Sequence, residues 1–383
     1  MKIVYYTRHI RDYSWVESIW KETGGVFCSD LPETAELFER NLPDVPFRFL
    51  PSSTKLTVGR KVGSRYGLAI KRKARRFQLV DVARQMNPDV IVTTSNHRHA
   101  IGRDWKSWLR QRGSTFPQVK QVQAFHGVSS KNVKFNPWMA EFDLLLLPGK
   151  RERDKFAALG ILDKTQYALI GHPKSDAFLR GDLTQKETRQ RYGLPDKTTV
   201  LYAPTHGALS SFFTWGLDIC KAVPRECNLI VKPHPALITT AANEGTGEKT
   251  IEEIKNHLKE RGALWLPLEP DVVPLMSASD ILVTDYSSVA EEFLVFDKPL
   301  IFADHLANAT GRDRLHRDKG DWKELFEAGL QVTEKDMFPA ALEKVLLGLD
   351  EQRDARHKLR DYVFENLDGH CAERAAQAIK AIS

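Results

Sequence analysis

Three histidines sit directly after short apolar runs, where a strand would end: His126 in Phe125-His126-Gly127-Val128-Ser129-Ser130-Lys131, His206 in Leu201-Tyr202-Ala203-Pro204-Thr205-His206-Gly207, and His234 in Val231-Lys232-Pro233-His234-Pro235. A neutral imidazole can take a proton from a hydroxyl near pH 7, and a cation beside an imidazole makes a good anion site. Gly127 permits a tight turn that aims His126 outward, and Lys131 is within loop reach of a phosphate. Pro204 ends its strand because it cannot donate to a ladder, which leaves Thr205 and His206 at the strand mouth. Two prolines restrict the backbone around His234. A fourth run, Asp280 to Glu292, passes from a buried strand through Thr284-Asp285-Tyr286-Ser287-Ser288 into a helix. Free N–H groups, the helix dipole and two hydroxyls there suit phosphate. A fifth, Ile170-Gly171-His172-Pro173-Lys174-Ser175-Asp176, follows another strand. Each has a plain structural alternative: a loop histidine, an ordinary serine N-cap, or a Lys174–Asp176 pair shaping a hinge.

The elements that position these residues are short apolar runs alternating with helical stretches. Strands are expected at Ile3–Thr7, Val90–Thr94, Gln121–Phe125, Leu144–Pro148 and Tyr167–Gly171, then at Val200–Ala203, Leu229–Lys232, Leu264–Leu268, Ile281–Asp285, Leu300–Ala303 and Leu330–Thr333. The runs are continuous rather than alternating, as parallel strands covered on both faces require. Helices are expected at Ile251–Glu260 and Phe338–Leu349, and over Asp354–Ser383 with a break at Asp368-Gly369. The pattern predicts an α/β protein of two doubly wound, Rossmann-like domains facing across a cleft. The polar stretch Arg180–Thr198 suggests a boundary between residues 1–185 and 186–383. The last helix is expected to pack back on the first domain.

Composition narrows the classes. The 383 residues carry 56 Lys+Arg against 50 Asp+Glu, with 42% hydrophobic and 28% charged residues, as in a folded globular protein. No apolar run approaches the roughly 18 residues of a membrane span. Cys28, Cys220, Cys227 and Cys371 form no CxxC pair and read as reduced thiols, which places the chain in the cytoplasm. His97-Arg98-His99 reads as a surface segment, and no carboxylate cluster proposes a metal site. No Gly-rich dinucleotide fingerprint or P-loop accompanies the serine pair.

The net charge of +6 is unevenly placed. Arg60 to Arg76 holds eight basic residues and no acid within 17 positions, including Arg65, Lys71, Arg72, Lys73, Arg75 and Arg76, so the rest of the chain carries −2. Tyr66, Leu68, Ile70 and Phe77 interleave with them. Such a segment suits an anionic leaflet, at about 1 kcal/mol per basic residue near the surface, a polyanionic acceptor or nucleic acid. A solvated helix face is the plain alternative.

The order of the motifs resembles the CDP-glycerol glycerophosphotransferases of teichoic acid and capsule synthesis, which have a GT-B fold. That family's His-Gly with a following Lys, Gly-x-Pro-(Arg/Lys)-x-Asp, Tyr-Ala-Pro-Thr, basic-x-His-Pro and Thr-Asp-Tyr-Ser-Ser fall at His126-Gly127 with Lys131, Gly171–Asp176, Tyr202–Thr205, Lys232–Pro235 and Thr284–Ser288. Lys298-Pro299, Asp368-Gly369 and Arg374 continue the likeness. Val128-Ser129-Ser130 and His206-Gly207 depart from the family's usual Thr-Pro-Leu and Trp-Arg.

The resemblance implies transfer of glycerol phosphate, or a related polyol phosphate, from a CDP-activated donor to a hydroxyl of a lipid-linked or saccharide acceptor, with release of CMP. It implies His126 as general base and His234, with Lys232, at the phosphate or leaving group. Thr205, Ser287 and Ser288 would bind phosphate oxygens, and Asp285 would orient a neighbour or touch the donor. Lys131, Lys174, His206 and Gly127 are further candidate substrate contacts. No cofactor, metal or nucleic-acid partner is expected, and the chain is expected at the inner face of the cell membrane. Other readings are a GT-B nucleotide-sugar glycosyltransferase, a UDP-sugar 2-epimerase, and a non-catalytic polyanion binder.

Overall fold

The computed structural model describes residues 1–7, 10–50, 83, 85–94, 118–125, 135–238, 247–269, 271–311 and 322–383. Apolar runs with few polar interruptions become strands whose two faces are both buried. Leu144–Leu147 shows the rule: Leu144 and Leu146 enter one core and Leu145 and Leu147 another.

The chain divides into two compact units. One contains the described residues of 1–126 and 134–174 together with 370–383; the other contains those of 175–369. The division falls at Lys174/Ser175, ahead of the 185/186 boundary expected from sequence. Phe178 and Leu179, on the short helix Asp176–Leu179, pack against the core of the second unit.

The first unit is built on seven parallel strands: β1 (Ile3–Tyr6), β2 (Val26–Ser29), β3 (Phe47–Phe49), β4 (Val90–Thr93), β5 (Lys120–Ala124), β6 (Leu144–Leu147) and β7 (Gln166–Leu169). Their order is β3-β2-β1-β4-β5-β6-β7. One face is covered by helix Ile10–Thr23 and by the C-terminal helix Cys371–Ala381. Ala372, Ala375 and Ile379 share a core with Tyr5, Val16, Ile19, Val92 and Leu146.

The second unit holds six parallel strands: β8 (Thr199–Tyr202), β9 (Asn228–Val231), β10 (Leu264–Trp265), β11 (Ile281–Thr284), β12 (Leu300–Ala303) and β13 (Leu330–Val332). The order β10-β9-β8-β11-β12-β13 reverses direction between β8 and β11. Open α/β sheets bind ligands at the carboxyl ends of strands beside such a reversal. Leu201, Ile230, Leu282 and Phe302 fill the core on one face, and Tyr202, Val231, Val283 and Ile301 fill it on the other.

Two motif residues are structural. Lys298 donates to the carbonyls of Ser277 at 2.8 Å and Ser279 at 2.6 Å, capping the helix Val273–Ala278 where its carbonyls run out. Burial pulls its pKa down to about 8. Gly369 has φ +82°, and a Cβ there would lie 2.4 Å from Arg180 Cγ. Arg180 Nη1 donates to the Gly369 carbonyl at 2.6 Å, so side chain and backbone are in direct contact. Among the described residues no helix is long and apolar enough to cross a membrane.

Candidate active site

The loops leaving β8, β9, β11 and β12 meet at the carboxyl edge of the second sheet, and the ladder continues past the strands to fix them. Lys232 N donates to Tyr202 O at 2.9 Å and His234 N to Pro204 O at 3.2 Å. Thr284 Oγ1 donates to Ala203 O at 2.7 Å. Thr205 and His206 are thereby placed beside Lys232 and His234, as their positions after strands lead one to expect.

Asp285 turns inward. Oδ1 accepts the Thr205 N–H at 2.8 Å, and Oδ2 accepts the Ser211 N–H at 2.7 Å and the Ser211 hydroxyl at 2.9 Å. The carboxyl is buried, and burial raises its pKa against the pull of these donors and of His305. Ser211 also meets Tyr202 Oη at 2.8 Å, and burial together with the Asp285 charge drives the Tyr202 phenol well above its ordinary range. Ser211 is the N-cap of helix Phe212–Ala222. The helix end that a phosphate would seek in this topology is thus filled by the protein's own carboxylate. Orienting its neighbours is one of the two roles open to Asp285 from sequence, and these hydrogen bonds do that.

His234 Nδ1 accepts the Ala236 N–H at 3.1 Å. An accepting Nδ1 carries a lone pair, so the neutral ring bears its proton on Nε2. The ring is half-buried and lies 4.3 Å, centroid to centroid and tilted by 35°, from the exposed ring of His206. Lys232 is buried at the start of the same loop, and Thr205 at the start of the β8 loop. Gly207, at φ +69°, turns the chain after His206, a conformation that favours glycine.

The serine pair is less of a helix-dipole site than its sequence suggests. The helix it opens, Val289–Phe293, is a single α turn running into the 3-10 turn Leu294–Phe296. Ser287 is buried and its Oγ accepts the Val289 N–H at 3.4 Å; Ser288, at the N-cap, makes no capping bond with its side chain. Tyr286 is fully buried between them and the core. It donates to Asp304 Oδ1, and Gln331 Nε2 donates to Asp304 Oδ2 at 2.5 Å.

His305 was not singled out by sequence reasoning. It follows β12, and its ring lies edge-on to Tyr286 at 5.9 Å and to Trp215 at 6.4 Å. The signal that would have found it is the one used for the others, a histidine two residues past a buried strand.

Lys174 belongs to the first unit, where its ammonium lies 4.8 Å from the Trp15 ring centroid as a cation–π pair. His172, completely buried, meets the same indole edge-to-face at 5.1 Å. Burial, with a smaller contribution from Lys174, pushes its pKa down to about 3. Arg374 Nη2 donates to Ile170 O at 3.2 Å and ties the last helix to this loop. His126, Gly127 and Lys131 lie outside the described residues, as do His97, Arg98, His99 and the basic segment with Arg65, Lys71, Arg72, Lys73, Arg75 and Arg76. Among the described residues no group of three or more His, Cys, Asp or Glu side chains could hold a metal ion.

Two doubly wound parallel sheets, one with a cationic and imidazole-bearing carboxyl edge, define a protein of the GT-B fold class. Residues 111–381 match the model of the CDP-glycerol:poly(glycerophosphate) glycerophosphotransferase family, and the chain belongs to that family. It is 27% identical over 187 residues to a teichoic acid glycerol-phosphate primase of Bacillus spizizenii, covering 47% of this chain and 45% of the relative. The match therefore spans less than half the length of that curated relative. A variant of the wall teichoic acid polymerase TagF soaked with CDPG superposes with a TM-score of 0.63 at 16% identity, over 100% of this chain and 88% of that one. The UDP-GlcNAc 2-epimerase of Neisseria meningitidis gives 0.59 at 15%, over 100% of both. The two likenesses agree on the fold and do not choose between the reactions.

Proposed function

We propose that the protein transfers glycerol phosphate, or a related polyol phosphate, from a CDP-activated donor to a hydroxyl of a lipid-linked or saccharide acceptor in the synthesis of a teichoic-acid-type polymer. The observation that carries this reading is the joining, within the family-matched span, of Lys232, His234 and Thr205 on adjacent loops at the reversal of the second sheet.

The acceptor oxygen attacks the distal phosphorus of the donor. A new P–O bond forms, the P–O bond to CMP breaks, and the acceptor proton passes to a base. His126 is assigned that base by its motif. The departing CMP phosphate is stable as an anion, so it needs charge stabilisation more than a proton. A ring with its proton on Nε2 and its Nδ1 already accepting suits that need: it donates a hydrogen bond without changing charge. Lys232 adds a cation, and the hydroxyls of Thr205, Ser287 and Ser288 bind phosphate oxygens. Asp285 keeps the β8 loop in register. The donor carries its own activated phosphate, so this chemistry calls for no redox cofactor. The basic segment Arg60–Arg76 would hold the enzyme against an anionic leaflet or a polyanionic acceptor at the cytoplasmic side of the membrane.

The test is a nucleotide-product assay with CDP-glycerol, CDP-ribitol and UDP-sugars, each with a lipid-linked or saccharide acceptor. CMP release that depends on acceptor supports the proposal. UDP release alone, or interconversion of a UDP-sugar, replaces it with a glycosyltransferase or epimerase.

A further inference from the structure

His305 takes no part in the transfer as proposed above, yet it lies two residues past β12, beside the β11 exit that carries Ser287 and Ser288. Its ring is half-buried and held edge-on by two larger rings, Tyr286 at 5.9 Å and 74° and Trp215 at 6.4 Å and 70°. Nδ1 faces the carbonyl of Ala303 at 3.5 Å. A carbonyl oxygen only accepts, so Nδ1 carries the proton of the neutral ring and Nε2 presents its lone pair. Among the described residues nothing donates to that Nε2 or accepts from it. A hydroxyl both gives and accepts, so it pairs with Nε2 in the neutral ring and in the imidazolium alike. A phosphate pairs only with the imidazolium.

The strand order narrows which hydroxyl this is. The phosphate contacts proposed above leave β8, β9 and β11, and neighbouring strands lie about 4.8 Å apart. His305 stands one spacing beyond β11, on the side away from β8 and β9. A three-carbon chain on a phosphate held by Ser287 and Ser288 spans that gap. A ribose with its base is longer than one strand spacing and overfills it. On the transferase reading, we propose that His305 binds, through Nε2, a free hydroxyl of the polyol being transferred, and so selects donors that carry it.

The experiment uses the full chain as wild type, His305→Ala and His305→Gln. The donors are CDP-glycerol, CDP-1,2-propanediol and CDP-1,3-propanediol; each propanediol lacks one of the two free glycerol hydroxyls. Acceptor-dependent CMP release gives kcat/KM for each. The wild type prefers CDP-glycerol over one of the two deoxy donors by about 10-fold, the scale of one hydrogen bond in a half-buried site. That preference disappears in His305→Ala and returns in part in His305→Gln, whose amide both gives and accepts. A wild type that does not distinguish the three donors overturns the proposal. So does an alanine variant that keeps the wild-type preference or slows all three donors equally, which would make His305 a structural residue. Calorimetry supplies a second reading: His305→Ala weakens CDP-glycerol binding relative to CMP binding. Equal weakening of both would place His305 against the nucleotide and overturns the proposal. Absence of CMP release by the wild type counts against the transferase reading instead. The affinities for CDP-glycerol and its deoxy analogues then decide alone, and the same affinity ratios in wild type and His305→Ala overturn the assignment of His305.

Discussion

Asp285 accepts the backbone N–H of Thr205 at 2.8 Å, and this bond joins the loop after β11 to the loop after β8 across the reversal of the sheet. The same carboxylate takes both donors of Ser211, so one buried side chain shapes the front of the sheet's carboxyl edge.

Asp285→Asn tests that brace. An amide presents N–H where a carboxylate presented oxygen, so at least one of the three donors loses its acceptor. Leaving a buried polar group unsatisfied costs about 1–3 kcal/mol. The variant is expected to unfold at lower urea concentration than the wild type and to lose most turnover. A variant with wild-type stability would show that the three bonds do not hold the loop.

Sequence made much of this edge readable because Val200–Ala203, Ile281–Asp285 and Leu300–Ala303 are unbroken apolar runs, and parallel strands buried on both faces leave just that trace. It missed β2 and β3. Val26–Ser29 is only four residues long after Gly24-Gly25, and Phe47–Phe49 is a three-residue edge strand with Arg48 in its middle. It overran β10, where Leu264–Leu268 shrinks to Leu264–Trp265 and Leu268 stands 82% exposed. Nothing in Thr-Asp-Tyr-Ser-Ser says that the aspartate faces inward, because that depends on Ser211, more than seventy positions away.

His172 gives a pH test on the first unit. Its pKa is 6.5 when unperturbed and about 3 in the fold, lowered mainly by burial beside Trp15. Between these values the unfolded chain binds the proton and the native chain does not, so stability is fully present above pH 6.5 and is lost as pH falls toward 3. Urea midpoints of the wild type should drop from pH 7.5 to pH 5. His172→Gln should show a smaller drop over that interval, and an equal drop would remove His172 as its source.

Gly369→Ala should destabilise the second unit. The added Cβ meets Arg180 Cγ at 2.4 Å and a φ of +82° that alanine resists, for a cost of about 1–3 kcal/mol. The double variant with Arg180→Ala separates the causes in the same urea titrations. It relieves the collision but not the backbone strain, so it should recover the loss only in part.

In the proposed transfer, His234 would decide what kind of help the leaving group receives. With Nδ1 accepting from Ala236, the neutral ring can give a hydrogen bond from Nε2 but cannot give up that proton without becoming an anion. Its use is therefore electrostatic, and a side chain that supplies an N–H of similar reach should replace it in part. His234→Ala is expected to lower kcat about 100-fold, as loss of a preorganised donor does, while His234→Gln, with its amide N–H, should recover a clear fraction of that loss. Steady-state rates of CMP release over pH 6 to 9 check both points. A hydrogen-bond donor gives a Gln variant whose rate follows the wild-type profile at a lower level. A proton donor gives a Gln variant no better than alanine, and a wild-type rate that falls as the pH rises past the imidazole's own titration.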